Sequence, residues 1–92
     1  MQNQDPFRIP VEGALDLHAF APRDIASVVE EYINDAHAAG LREVRFIHGR
    51  GLGVQRGIVH NALERHPGVL EFFDDPASHL GATIAILNPP IR

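Results

Sequence analysis

The residues best suited to chemistry form one short stretch, from His48 to Gly53, with the sequence HGRGLG. Histidine transfers protons near neutral pH, and arginine carries a permanent positive charge that pairs well with phosphate. Glycines at every second position permit a tight turn whose backbone N–H groups face an anion. The stretch therefore predicts a loop that binds phosphate beside a proton-transfer group, although a glycine-rich turn can also serve the fold alone.

A second pair of chemically capable residues, Asp16 and His18, lies in the stretch that begins at Ala14. Apolar and polar residues alternate there, which places Leu15 and Leu17 on one face of a predicted strand and the acidic and histidine side chains on the other. A carboxylate beside a histidine orients the ring and favours its charged form. Taken alone, the pair also fits the solvent-facing side of an edge strand.

The elements that must position these residues predict an α/β domain of order β-α-β-α-β-β. After the first strand, Pro22 begins a helix with a core-facing stripe at helical spacing, and Gly40 ends it. The other predicted elements are a strand at 41–47, a helix at 55–66, and strands at 69–73 and 82–87. Helical crossovers make the first three strands parallel, and the turn cluster at 74–79 makes the last two an antiparallel hairpin.

Parallel strands bring their carboxyl ends to one edge of a sheet, where open α/β sheets usually bind ligands. We therefore expect Asp16, His18, His48 and Arg50 to converge on one edge of a mixed four-stranded sheet. The remaining histidines are predicted to be surface residues; they are His37, His60, His66 and His79.

Composition limits the classes of function. The 92 residues predict an N-terminal tail at 1–12 and a single domain at 13–92. A formal charge of −4 argues against a generally basic, sequence-blind coating of nucleic acid, so any polyanion must be bound locally. The chain has no cysteine, which excludes disulfides and thiolate metal sites, and neither a signal peptide nor a membrane-spanning run is evident. We expect a soluble, cytoplasmic protein with no membrane partner.

Over residues 13–88 the chain resembles the Smr (small MutS-related) domain family. The resemblance rests on the segments LDLH at 15–18, HGRG at 48–51 and GATI at 81–84. The chain departs from the family pattern at Ala19, commonly Gly, and at Gln55, usually apolar. The resemblance implies an α/β two-layer sandwich similar to the C-terminal domain of bacterial initiation factor three. It also implies a nucleic-acid-binding domain, in a family of which several members nick DNA or cleave RNA.

The hypothesis that follows is an endonuclease acting on DNA or RNA phosphodiesters. Asp16 orients a neighbouring histidine and raises its pKa, while His18 and His48 take the acid and base roles in an order the sequence leaves open. Arg50, with the loop amides, binds the phosphate and stabilises the transition state. The residues predicted to contact nucleic acid or phosphate are Gly49, Gly51, Gly53, Arg56 and Arg23.

Alternative interpretations remain at this stage. One is a non-catalytic module that binds branched DNA or ribosomal or other structured RNA; a small-molecule phosphate binder is disfavoured because no enclosing apolar pocket is predicted. A divalent cation such as Mg²⁺ held by Asp16, His18 and His48 is a further alternative, but this ligand set is incomplete and no metal is predicted to be required. Association with a ribosome or a repair protein, and the oligomeric state, are left open.

Overall fold

The computed structural model describes residues 13–51 and 53–89. The fold is a mixed four-stranded sheet with two helices packed on one face. The elements in chain order are β1 (Ala14–Asp16), α1 (Pro22–Ala38), β2 (Glu43–Ile47), α2 (Val54–Arg65), β3 (Val69–Asp74) and β4 (Ala82–Leu87). The strands lie in the order β1-β2-β4-β3. The tail predicted at 1–12 lies outside the described residues.

The strand directions confirm the predicted topology. β1 and β2 pair in parallel, whereas β4 pairs antiparallel with both β2 and β3. Because two antiparallel pairings separate β2 from β3, the first three strands run in the same direction. β4 lies in the interior of the sheet, between β2 and β3. Its continuous apolar run from Ala82 to Leu87 favours such a position.

Helix α1 follows the predicted pattern closely. Pro22 lies in its first turn, and its inward stripe comprises Ile25, Val29, Tyr32, Ile33 and Ala36. At the carboxyl end Gly40 adopts a left-handed φ of 86°. The N–H of Gly40 donates to His37 and that of Leu41 to Ala36, which is the hydrogen-bond pattern of a Schellman motif. The glycine thus ends the helix and turns the chain toward β2.

The first strand is shorter than predicted, for a local chemical reason. The prediction extended it to His18, but β1 ends at Asp16. The backbone N–H of Leu17 still donates to Ile47 in β2 at 2.9 Å, whereas that of His18 donates to the Asp16 carboxylate at 2.9 Å. β1 is the edge strand, so this His18 N–H faces away from β2; its bond to Asp16 forms an Asx turn, in which the chain leaves the strand direction after Leu17. The other predicted boundaries agree with the structure to within two residues, and those of β4 match.

The core lies between the sheet and the helices. In β2, Val44 and Phe46 are buried on the helix-covered face, while Arg45 and Ile47 lie on the open face. The Phe46 ring contacts Tyr32 of α1 edge-on, with the ring centroids 5.8 Å apart. This packing fixes the end of β2, and hence the loop that follows it, against α1.

Truncating this aromatic contact is expected to destabilise the whole fold. Phe46 is 0 % exposed, so Phe46→Ala should lower the free energy of unfolding by about 3–5 kcal/mol through lost burial and a residual cavity. Phe73, which is 43 % exposed in β3, provides the matched control, and Phe73→Ala should cost clearly less. Urea denaturation of the three proteins measures the difference; equal losses would contradict the assigned core.

Candidate functional site

The Asp16 and His18 side chains form a hydrogen-bonded pair on the exposed side of the sheet edge. Nδ1 of His18 lies 2.6 Å from Oδ1 of Asp16, and because a carboxylate only accepts, Nδ1 is the donor. The backbone N–H of His18 also donates to Asp16. The backbone hydrogen bond has the larger effect and the ring hydrogen bond the next, and both lower the pKa of Asp16. The aspartate is therefore ionised near neutral pH and holds the histidine ring in one orientation.

This orientation directs the other ring nitrogen of His18 toward the glycine loop, the stretch from His48 to Gly53. A Cβ atom placed on Gly49 would lie 3.5 Å from Nε2 of His18, so the ring and the loop backbone are in van der Waals proximity. Nε2 makes no hydrogen bond within the described part of the chain. His18 thus presents a free nitrogen beside the loop.

The His48 side chain occupies a different position from the one the catalytic hypothesis needs. It is only 4 % exposed, with Nδ1 2.9 Å from the Gly49 carbonyl oxygen and Nε2 2.9 Å from Oγ1 of Thr83. Thr83 pairs with Phe46 and faces the helices, so the His48 ring lies on the helix-covered face. His18 and His48 therefore share the predicted sheet edge but extend to opposite faces.

His60, on α2, was predicted to be a surface residue, and the structure corrects this. Its Nε2 lies 2.9 Å from Oγ1 of Thr83, and its ring packs edge-on against Phe72 with centroids 5.0 Å apart. Burial, and next the charge of Arg56, lower the pKa of His60. The signal that predicts such a partner is Thr83 itself, a hydroxyl within a buried apolar strand, which requires hydrogen bonding.

The other three histidines lie away from this contact. His79 is exposed, as predicted, whereas His37 and His66 are half-buried. Nε2 of His66 lies 2.9 Å from the side-chain oxygen of Asn34, at the far end of α2.

The backbone of the glycine loop is anchored to the start of β4. The N–H groups of His48 and Gly49 both donate to the Gly81 carbonyl, at 3.0 and 2.9 Å, and that of Gly53 donates to Arg50 at 3.2 Å. The amides of Gly49 and Gly53, predicted to contact phosphate, thus already have acceptors within the protein. These glycines instead supply left-handed conformations, with φ of 79° for Gly49 and 82° for Gly53.

The remaining donors of the loop are free for an anion. Within residues 13–51 and 53–89, neither the N–H of Arg50 nor that of Gly51 has a hydrogen-bond acceptor. Helix α2 begins after Gly53 with no side-chain cap and no acidic residue in its first turn. Its first N–H groups and the positive end of its dipole thus lie next to the two free amides.

These groups border an open depression lined by Arg50, Gly51, Gly53, Arg56, His79 and Leu80. Arg56 is bound through two nitrogens to Asp74, at 2.8 and 2.6 Å, and this contact lowers the pKa of that carboxyl. Arg50 and Arg23 make no ion pair with any residue that the structure describes. Arg50 is therefore the unneutralised cation of the depression, while Arg23 lies in the first turn of α1 and does not line it.

The far wall of the depression is the turn between β3 and β4. The hydroxyl of Ser78 donates to the Asp75 carbonyl at 2.7 Å and accepts the N–H of Ala82 at 3.0 Å, which ties the turn across its base. His79 and Leu80 both have positive φ, 53° and 71°. A braced turn in a sparsely populated conformation holds these two side chains at the rim.

With the sheet, the loop and its anchoring described, comparison with known proteins identifies the family. The Smr domain profile matches residues 15–88, nearly the whole chain. The chain belongs to the Smr domain family.

Similar Smr domains occur in larger proteins and alone. The chain is 39 % identical over 64 residues to "Endonuclease MutS2" of Caldicellulosiruptor bescii and 41 % identical over 64 residues to that of Caldicellulosiruptor saccharolyticus. Each match covers 70 % of this chain but 8 % of the relative, so the chain corresponds to a small part of those proteins.

Two solved structures share the fold. The Smr domain of Thermus thermophilus MutS2 superposes with a TM-score of 0.80 at 30 % identity, covering 85 % of this chain and 100 % of that one. YdaL, a stand-alone small MutS-related protein from Escherichia coli, gives a TM-score of 0.77 at 26 % identity and covers 89 % and 69 %. The β-α-β-α-β-β arrangement with a mixed sheet is the Smr fold.

The three residues of the alternative magnesium site do not converge on one point. Asp16 and His18 lie on the open side, and the His48 ring faces the helices. Across residues 13–51 and 53–89, no three His, Asp or Glu side chains are grouped as a metal site would need.

Within the described part of the chain, neither helix combines the length and apolar character required to cross a bilayer.

The lowered pKa of His60 predicts a pH dependence of stability. The unfolded state, in which histidine titrates at about 6.5, binds the proton more readily than the fold does. The resulting stabilisation is complete above about pH 6.5 and is lost as the pH falls through the lower folded pKa. The lowered carboxyl pKa values of Asp16, Asp74 and Asp75 affect stability only at more acidic pH, near and below about 4.

Wild type should therefore lose thermal stability between about pH 7.5 and about pH 5.5, and His60→Leu should lose less over that interval. Differential scanning calorimetry at both pH values gives the comparison. His66→Leu, which alters a histidine at the other end of α2, serves as the control and should behave as wild type. A His60→Leu protein with an undiminished pH response would contradict the assignment.

Proposed function

We propose that this Smr domain binds DNA or RNA at the depression beside the glycine loop and cleaves a phosphodiester bond there. The observation that carries the proposal is the placement of His18: its Nδ1 is held by ionised Asp16, and its free Nε2 lies beside Gly49. The loop that it faces offers the unpaired Arg50 side chain and the free amides of Arg50 and Gly51. A proton-transfer group thus lies beside Gly49, one residue before Arg50 and outside the lining of the depression itself.

The geometry suggests how the reaction proceeds. A phosphate in the depression is bound by Arg50 and the amides at the start of α2, which also stabilise the negative charge of the pentacoordinate transition state. Nε2 of His18 accepts a proton from the attacking water, and the Asp16 carboxylate stabilises the imidazolium that forms. The leaving oxygen takes its proton from solvent, to which the depression is open.

Burial alters the role proposed for His48. Both of its ring nitrogens are engaged, by the Gly49 carbonyl and by Thr83, and the ring is covered by the helices. A group in this position does not reach a bound phosphate without a rearrangement of the loop. We therefore assign the proton transfer at the substrate to His18 and give His48 a structural role beneath the loop.

The relatives support the chemistry without establishing it. Two of the similar proteins bear the name Endonuclease MutS2, and the matching part of each is an Smr domain of this fold. Because that part is 8 % of their length, cleavage by this chain remains a proposal.

A binding module without catalysis is the second candidate. It is favoured by the burial of His48, which leaves one proton-transfer group at the surface of the site instead of the two first expected. Such a module uses the same depression to recognise branched DNA or structured RNA. The two candidates therefore differ in the fate of the bound phosphodiester and not in its location.

The deciding experiment incubates purified protein with supercoiled plasmid and with structured RNA, each with and without EDTA. We expect nicked plasmid or shortened RNA with wild type and none with His18→Ala prepared in parallel, which controls for contaminating nuclease. EDTA should leave the products unchanged, because the mechanism uses no bound metal. Binding without cleavage in all conditions would establish the module instead.

Two substitutions should differ in kind. His18→Ala removes the proton acceptor and should lower the cleavage rate by about 10²–10⁴-fold with little change in affinity. Arg50→Ala removes a phosphate contact and should weaken binding, with the slope of log K against log salt reduced by about one. Arg42→Ala, an exposed arginine at the opposite end of β2, is the matched control. Equal losses of affinity from Arg42→Ala and Arg50→Ala would refute the location of the site.

A further inference from the structure

Three side chains from α2, β4 and the glycine loop form one hydrogen-bonded chain. Oγ1 of Thr83 lies 2.9 Å from Nε2 of His60 and 2.9 Å from Nε2 of His48, whose Nδ1 lies 2.9 Å from the Gly49 carbonyl oxygen. Thr83 is 0 % exposed, so within the described structure these histidines are the hydrogen-bond partners of its hydroxyl. This chain of hydrogen bonds crosses the core directly beneath the glycine loop.

The chemistry of the groups fixes the direction of every bond. A carbonyl oxygen only accepts, so Nδ1 of His48 carries a proton. In the neutral ring Nε2 then has no proton and can only accept. Nε2 of His48 therefore accepts the single hydroxyl proton of Thr83, and His60 must donate its Nε2–H to Oγ1.

The surroundings of His60 are consistent with that direction. The nearest oxygen of the Asp74 carboxylate lies 3.5 Å from its Nε2, which favours a proton on that nitrogen. Arg56, bound to the same carboxylate, and the Phe72 ring also face His60, and both burial and the arginine charge lower the pKa of His60. A neutral His60 with a proton on Nε2 is what the chain requires.

The far end of the chain acts on the peptide between Gly49 and Arg50. In a planar trans peptide the carbonyl oxygen and the following N–H point in opposite directions. His48 holds the Gly49 carbonyl toward the core, so the Arg50 N–H is directed away from it. That amide has no acceptor among the residues that the structure describes.

We infer that His60 and Thr83 are positioning residues for the glycine loop. Acting through His48, they hold the Gly49 carbonyl inward and so present the Arg50 amide to a substrate phosphate. This inference rests on the proposed function for the identity of the ligand, but the orientation of the amide does not. Neither residue touches the substrate. The glycine loop gains from them a fixed donor that glycine's conformational freedom would otherwise leave variable.

Paired substitutions test the chain. Thr83→Val keeps the shape and removes the hydroxyl, whereas Thr83→Ser retains it. Likewise His60→Leu removes the donor, and His60→Gln keeps an N–H near the position of Nε2. His66→Ala, a histidine outside the chain, is the control. The two sites give independent tests if one variant fails to fold.

Nitrogen-15 NMR at neutral pH reads the result without any catalytic activity. Wild type should show His48 protonated on Nδ1 and His60 on Nε2. Thr83→Val and His60→Leu should give His48 a mixture of tautomers, shift the Arg50 amide resonance and weaken the binding of inorganic phosphate by roughly two- to tenfold, the range for one hydrogen bond. Thr83→Ser and His60→Gln should restore all three readouts.

Folded Thr83→Val and His60→Leu proteins that keep the wild-type His48 tautomer, Arg50 amide resonance and phosphate affinity would overturn the inference. If wild type bound neither phosphate nor nucleic acid, the proposed function would fail instead. The tautomers and the Arg50 resonance would then decide the positioning role by themselves.

Discussion

One carbonyl oxygen, that of Gly81, holds the site together by accepting two consecutive backbone N–H groups, those of His48 and Gly49. This pair of bonds joins the end of β2 to the start of β4. It also determines which amides of the loop have an acceptor within the protein. A Cβ atom on Gly81 would lie 3.1 Å from the Ser78 carbonyl, so a side chain there would force the turn to shift by a few tenths of an ångström. The loop's remaining donors, the braced turn opposite them and the buried histidine beneath all take their positions from this anchor.

Much of the fold follows from sequence periodicity, and one part of the site could have followed too. The apolar run of β4 indicates an interior strand, and the structure places it between β2 and β3 with most of its residues buried. The alternation that separates Asp16 and His18 from the core also places His48 with Val44 and Phe46, on the buried face. The prediction treated a shared sheet edge as a shared surface. The inward position of His60 on α2 depends on Thr83 in β4, 23 residues away, so the pattern of the helix alone does not predict it.

The charges of the domain explain how an acidic chain can hold an anion. Arg45 is bound to Asp75 at 2.7 Å and Arg56 to Asp74, so these arginines are largely neutralised by neighbouring carboxylates. Arg50 lacks such a partner among the described residues and lies beside an uncapped helix terminus. The net charge of −4 therefore coexists with a local positive potential beside the glycine loop.

A single oxygen of Asp16 performs two tasks that evolution cannot adjust separately. Oδ1 accepts the backbone N–H of His18, which forms the Asx turn after the strand, and the ring Nδ1–H of the same residue, which orients the imidazole. Glutamate carries the same charge, but its longer side chain cannot keep both contacts at this spacing. Asparagine retains an acceptor but loses the negative charge that stabilises an imidazolium. The shape of the backbone and the orientation of the histidine ring are thus inherited together, as one trait encoded by one codon.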